Sequence, residues 1–200
     1  MQEAMSRSPQ GGPRCRGAAR LLLPLLLLGG LPVAQAQTDA PSSSLRPARL
    51  FAQLGGNTGA VTGTVGAAWD LDWQRATRWG PVSSALELSM GRWRSDGELE
   101  RSRHRTSEFG ITPLLRLRPP GWPQGWSVEA GVGLHLLTPL YQREHKHFST
   151  RYNFGDQLGF VYQGSAGQEL SLRLQHYSNA GLKKPNPGEN FVQLRYAYRL

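Results

Sequence analysis

An imidazole, a hydroxyl and a carboxylate crowd into one stretch of this chain, His176-Tyr177-Ser178-Asn179-Ala180-Gly181-Leu182-Lys183-Lys184-Pro185-Asn186-Pro187-Gly188-Glu189-Asn190. His176 and Ser178 are two residues apart, so on an extended strand they share a face, where the imidazole can take the hydroxyl proton and make serine a nucleophile. Spacing alone is a weak signal, because H-x-S recurs by chance. Asn179, Gly181, Asn186 and Asn190 admit two readings. They are turn-formers of any external loop, or they supply side-chain amides and close-approaching backbone N–H groups for an oxyanion. Of the remaining histidines, His104, His145 and His147 sit in basic loop runs without a carboxylate cage, and His135 stands alone, so neither a metal nor another cofactor is expected.

The elements that must carry these residues show a period of two. From Thr58 to Trp73, Val61, Val65, Ala67, Trp69, Leu71 and Trp73 alternate with Thr62, Thr64, Ala68, Asp70 and Asp72. The same alternation runs through Leu86 to Met90, Glu108 to Leu117, Trp126 to Leu136 and Glu169 to Gln175. Segments at 152–162, near 190–200 and, more weakly, near 48–55 bring the number to eight, each of membrane-barrel length. The face opposite the apolar one carries Gly, Ser, Thr and the charges Glu87, Glu108, Arg116, Glu129 and Arg173, which suits the packed polar lumen of a narrow barrel with lipid outside. The expected fold is an all-β, eight-stranded antiparallel transmembrane β-barrel. Pro113 removes a ladder donor within its strand and marks an expected bulge. Parity puts His176 and Ser178 in series with Leu170, Leu172 and Leu174, on the lipid-facing wall near the outer end. Polar groups there are costly unless the chemistry is done on a membrane lipid; at headgroup level the cost is small.

Two hundred residues leave room for a signal segment and one domain, which excludes a multidomain enzyme, and a mean hydropathy of −0.45 without a long apolar run excludes helical spans. Residues 1–36 read as a secretory signal peptide, with Arg14, Arg16 and Arg20 before the apolar stretch Leu21 to Leu31 and a small-residue end at Ala34-Gln35-Ala36, leaving 37–200 as the barrel domain. The single cysteine, Cys15, leaves with it. Without Arg7, Arg14, Arg16, Arg20 and Glu3 the formal charge of +9 falls to +6, so the basic excess no longer argues for nucleic acid, which drops out as a partner.

The short turn 163–167 and the longer charged stretches 94–106, 138–149 and 179–189 fall at opposite ends, so the latter are expected to face outward. Arg101, Arg103, Arg105, Arg143 and Lys146, with Lys183 and Lys184, then either face the phosphates of lipopolysaccharide or form plain solvated loops.

The segment from His176 to Asn190, following an alternating strand, resembles the lipid A 3-O-deacylase (PagL) family of the Gram-negative outer membrane. The close match covers about fifteen residues. The resemblance implies an eight-stranded barrel in the cell outer membrane, crossing it many times, that hydrolyses the ester-linked 3-hydroxyacyl chain at position 3 of lipid A. It implies a Ser-His-Glu triad facing the outer leaflet and no metal. Its partners would be lipopolysaccharide and outer-membrane lipids, and a homo-oligomer is admissible. Carried onto this chain, His176 is the general base and Ser178 the nucleophile. In the family pattern the Glu lies fourteen residues after the His, which here is Asn190, with Glu189 one before it. Parity groups Asn190, not Glu189, with Val192, Leu194, Tyr196 and Tyr198. Glu189 is nevertheless preferred as the third member, turned by a bulge at Pro187-Gly188, because a carboxylate stabilises imidazolium better than an amide. Asn190 as an orienting group is the alternative. The rivals in other classes are a non-catalytic small barrel that binds lipopolysaccharide and a calcium-assisted, phospholipase-type barrel esterase.

Overall fold

Every backbone N–H and C=O of a strand in an apolar surrounding needs a partner, and closing the sheet on itself supplies partners along both edges of all strands. The computed structural model describes residues 45–96, 103–143 and 145–200. The expected signal peptide 1–36, with Cys15, lies outside them, as do Arg101 and the side chain of Arg103. The ten strands among the described residues are β1 (Arg49–Asn57), β2 (Ala60–Thr77), β3 (Gly80–Asp96), β4 (Arg103–Leu117), β5 (Trp126–Thr138), β6 (Gln142–Arg143), β7 (Lys146–His147), β8 (Tyr152–Gln163), β9 (Gln168–Ser178) and β10 (Glu189–Arg199). Eight of them close into one barrel in the order β1-β10-β9-β8-β5-β4-β3-β2, with every neighbouring pair antiparallel. The short β6 and β7 pair only with each other, inside the β5–β8 connection.

Alternation decides which side chains go where. Leu54, Val65, Leu88, Phe109, Leu172 and Leu194 stand exposed on the outer wall, while Glu87, Glu108, Glu129, Glu169, Arg173 and Arg195 are buried in the lumen. The interior charges neutralise one another. Arg173 reaches Glu87 at 3.0 Å and also pairs with Glu129. Arg116 bridges Glu129 and Glu169 at 2.9–3.0 Å, and Arg195 meets Glu87 at 2.5 Å. Towards the end where β9 meets β10, aromatic packing replaces charge. Trp93 is the centre of this plug, its ring 4.6 Å from Tyr177, 4.9 Å from Phe191 and 5.1 Å from Tyr141.

Three details differ from expectation. Of the stretch 94–106, expected as an outer loop, Arg94, Ser95 and Asp96 instead pair with Arg105, His104 and Arg103 in the β3–β4 ladder through backbone groups, whatever charge the side chains bear, and 97–102 lie outside the described residues. The stretch 138–149 is not plain loop, since it contains the β6–β7 hairpin. No bulge forms at Pro113: Ile111 pairs with Leu134 and Leu114 with Gly131 at one constant offset, so the ladder skips a step without slipping. The register shift lies in β2, between Leu71 and Gln74. Connections 58–59, 139–151 and 179–188 gather at one end of the barrel, with the paired strand ends Asp96 and Arg103, and 78–79, 118–125 and 164–167 at the other.

Candidate active site

Strand β9 delivers the chemistry by alternation. Gln175, Tyr177 and Asn179 turn inward and are buried, while His176 and Ser178 turn outward and are half-buried at the end of the strand. In the ladder His176 lies opposite Asn190 of β10 on one flank and Asp156 of β8 on the other. The Asn190 amide oxygen stands 2.6 Å from His176 Nδ1. An amide oxygen can only accept, so this contact puts the imidazole proton on Nδ1 and leaves Nε2 with its lone pair. Gly188 fits over the ring: its φ is +67°, and a Cβ there would come within 2.8 Å of His176 Cε1. His176 and Ser178 share the face but are not hydrogen-bonded to each other.

The preferred third member, Glu189, is not at His176. As the first residue of β10, opposite Tyr177, it falls on the inward phase of the alternation, and no bulge at Pro187-Gly188 turns it back. Its carboxylate is 1% exposed and accepts from Tyr141 Oη at 2.8 Å, Asn57 Nδ2 at 2.7 Å, Lys146 at 3.3 Å and Arg143 at 3.4 Å. Burial first, and then this carboxylate, push the Tyr141 phenol well above its ordinary range, so it stays a donor. The same Asn57 Nδ2 also donates to the Asn190 carbonyl at 2.8 Å, which ties β1 to the residue that holds His176. Arg143 and Lys146, read from the sequence as facing lipid phosphates or as plain solvated loop residues, are thus turned to Glu189.

The expected oxyanion donors divide. Asn179 is buried, and its Nδ2 is committed to the carbonyl of Lys183 at 2.8 Å and to Ser149 Oγ at 3.1 Å. Its Oδ1 accepts from the Gly181 N–H at 3.0 Å, so Asn179 and Gly181 serve each other and not Ser178. Asn186 Oδ1 accepts from the Asn179 N–H at 3.0 Å, which leaves its NH₂ group uncommitted. Of the backbone N–H groups expected near Gly181, the one that reaches the nucleophile is that of Ala180, directed at Ser178 Oγ over 3.4 Å with Ala180 at φ +53°. The chain signal for it, a small residue before Gly181, is faint. Asp156 was more visible: it interrupts the apolar series Phe154, Leu158, Phe160 on the outward phase of β8. Below the polar row an open cleft of about 610 Å³ runs down the outer wall, bordered by Asp156, Leu158, Leu174, His176, Asn190 and Val192. Polar chemistry at the top and apolar walls beneath suit a group carried on an acyl chain.

The family model described as lipid A 3-O-deacylase (PagL) matches residues 62–199. The chain is 32% identical over 123 residues to lipid A deacylase PagL of Bordetella bronchiseptica, covering 60% of this chain and 65% of that protein. It is 29% identical over 180 residues to lipid A deacylase PagL of Pseudomonas aeruginosa, covering 88% and 96%. A solved structure, the crystal structure of the outer membrane enzyme PagL, superposes with a TM-score of 0.61 at 24% identity over 76% of this chain and all of that one, which shows the fold. With the family model reaching from within β2 to the end of β10 and the fold shared, the chain belongs to the lipid A 3-O-deacylase (PagL) family.

Proposed function

We propose that this protein is an outer-membrane esterase that removes the ester-linked 3-hydroxyacyl chain from position 3 of lipid A, with Ser178 as nucleophile and His176 as general base. Its mature chain would be 37–200, inserted with the β9–β10 connection at the outer leaflet. The observation that carries the reading is the polar row at the head of a lipid-facing apolar cleft, where Asn190 fixes His176 in the tautomer that leaves Nε2 basic. Ser178 Oγ attacks the ester carbonyl as His176 Nε2 takes its proton. The carbonyl oxygen becomes an oxyanion, for which the Ala180 N–H and the free amide of Asn186 are the available donors. His176 then gives the proton to the departing sugar hydroxyl, and the acyl group stays on Ser178. Water, deprotonated by His176, attacks this acyl-enzyme and releases the 3-hydroxy fatty acid with Ser178 restored.

Purified, refolded protein mixed with lipopolysaccharide is expected to release 3-hydroxy fatty acid, and a folded Ser178→Ala variant is expected to lose release by at least about a thousandfold. Unchanged release from that variant would overturn the mechanism. Acyl loss from phospholipid alone would assign the chain to the phospholipase-type reading, and no hydrolysis of either lipid to the non-catalytic barrel.

A further inference from the structure

Across the outer wall, one ladder row reads Asp156 on β8, His176 on β9, Asn190 on β10. Asn190 holds Nδ1 but is neutral, so the imidazolium that forms when His176 takes the serine proton has no counter-charge on that flank. Asp156 occupies the other flank. Its outward neighbours along β8 are the exposed Phe154, Leu158 and Phe160, and among the described residues it makes no hydrogen bond or ion pair. An unpaired carboxylate on a lipid-facing wall is disfavoured unless a positive charge arises beside it. Directly opposed residues of antiparallel strands keep their Cβ atoms about 4.5–5.5 Å apart, a range over which charges interact strongly when lipid or substrate excludes water. Both residues border the same cleft.

We propose that Asp156 is the counter-charge of the His176 imidazolium, a positioning residue that acts through space across the β8–β9 ladder and supplies what the amide of Asn190 lacks. The inference rests on the Ser178–His176 esterase reading. The other charges near His176 are placed differently. Glu189, Glu108 and His135 lie on the lumen side of the sheet. Lys146 is held by Glu189 and the Gly188 carbonyl, and Lys183 and Lys184 lie in the exposed 179–188 connection. Asp156 exchanges no proton: the Ser178 proton goes to His176 and on to the leaving hydroxyl.

The test compares the parent, Asp156→Asn and Asp156→Asn/Asn190→Glu, each shown to be folded by its heat-modifiable electrophoretic mobility, with Ser178→Ala as control. Asp156→Asn is expected to lower kcat by about tenfold or more with KM within about twofold, since a counter-charge to a transient cation acts on the transition state and not on substrate binding. Adding Asn190→Glu is expected to return kcat to within about threefold of the parent, because it restores one carboxylate to the imidazole from the opposite flank. Unchanged kcat in Asp156→Asn, a rise confined to KM, or a loss that Asn190→Glu leaves unrepaired would each overturn the proposal. An active Ser178→Ala variant would overturn the esterase reading itself, and this inference with it, whereas an inert Ser178→Ala beside a fully active Asp156→Asn would remove this inference alone.

Discussion

The choice between Glu189 and Asn190 turns on two arguments of unequal kind. Chemical preference favours a carboxylate beside an imidazole, while strand parity assigns each residue a side of the wall, and a side chain in a flat ladder cannot cross it. Parity prevails: Glu189 goes into the lumen, Asn190 onto His176. An amide oxygen still selects the tautomer and aims the ring, as in Cys-His-Asn sites. Asn190→Ala is therefore expected to lower kcat by roughly ten- to a hundredfold with little change in KM, the cost of a misaimed base. Glu189→Ala, by contrast, strands Arg143, Lys146 and the Tyr141 hydroxyl at the end of the barrel. Because Arg143 and Lys146 keep partial contact with solvent, the expected loss of stability is about 1–3 kcal/mol, less than for a fully buried pair. Paired measurements of turnover and urea midpoint on the two variants check both statements, and a larger turnover loss from Glu189→Ala would reverse the assignment.

At the scale of elements, the period of two made the barrel strands and the lumen charges legible, because it depends only on residue type and position along one strand. Cross-strand register is another matter. Asn57 meets Glu189 across 132 positions, and Asp156 meets His176 through a ladder whose offset no single segment encodes. Loop-borne donors such as the Ala180 N–H depend on a local φ that one small residue does not announce. Pro113 shows the reverse failure, a residue with a strong local signal whose two neighbouring ladders hold the register regardless. The inward phase of β9 offers a direct check. Arg173 answers Glu87 from β3 and Glu129 from β5, so Arg173→Met leaves Glu87 to Arg195 and Glu129 to Arg116 alone and is expected to cost about 1–3 kcal/mol, less than a buried charge left without any partner. Its side chain points away from His176, so hydrolysis per folded molecule should stay near the parent value. The urea midpoint of refolded barrel and the specific activity of the folded fraction separate the two effects.

The whole molecule converts this placement into access to one leaflet. β1 begins and β10 ends at the same end of the barrel, and an even number of strands then puts the β9–β10 connection at the opposite end. His176 and Ser178 lie near that opposite end, on the wall and not in the lumen, so the leaflet at that level decides which lipid they meet. In an outer membrane only the external leaflet carries lipopolysaccharide, so lipid A hydrolysis requires the 179–188 connection outside and the 164–167 turn inside. The chain suits a labelling test because its one cysteine, Cys15, lies in the expected signal peptide. Exposed Lys184 and Ser165 mark the two ends. In intact cells, a Lys184→Cys variant is expected to react with a membrane-impermeant maleimide-polyethylene glycol, whereas Ser165→Cys reacts only after lysis, as read by gel shift. The opposite pattern would set the proposed catalytic row against the phospholipid leaflet, and the lipid A assignment would fail although every contact within the barrel remained the same.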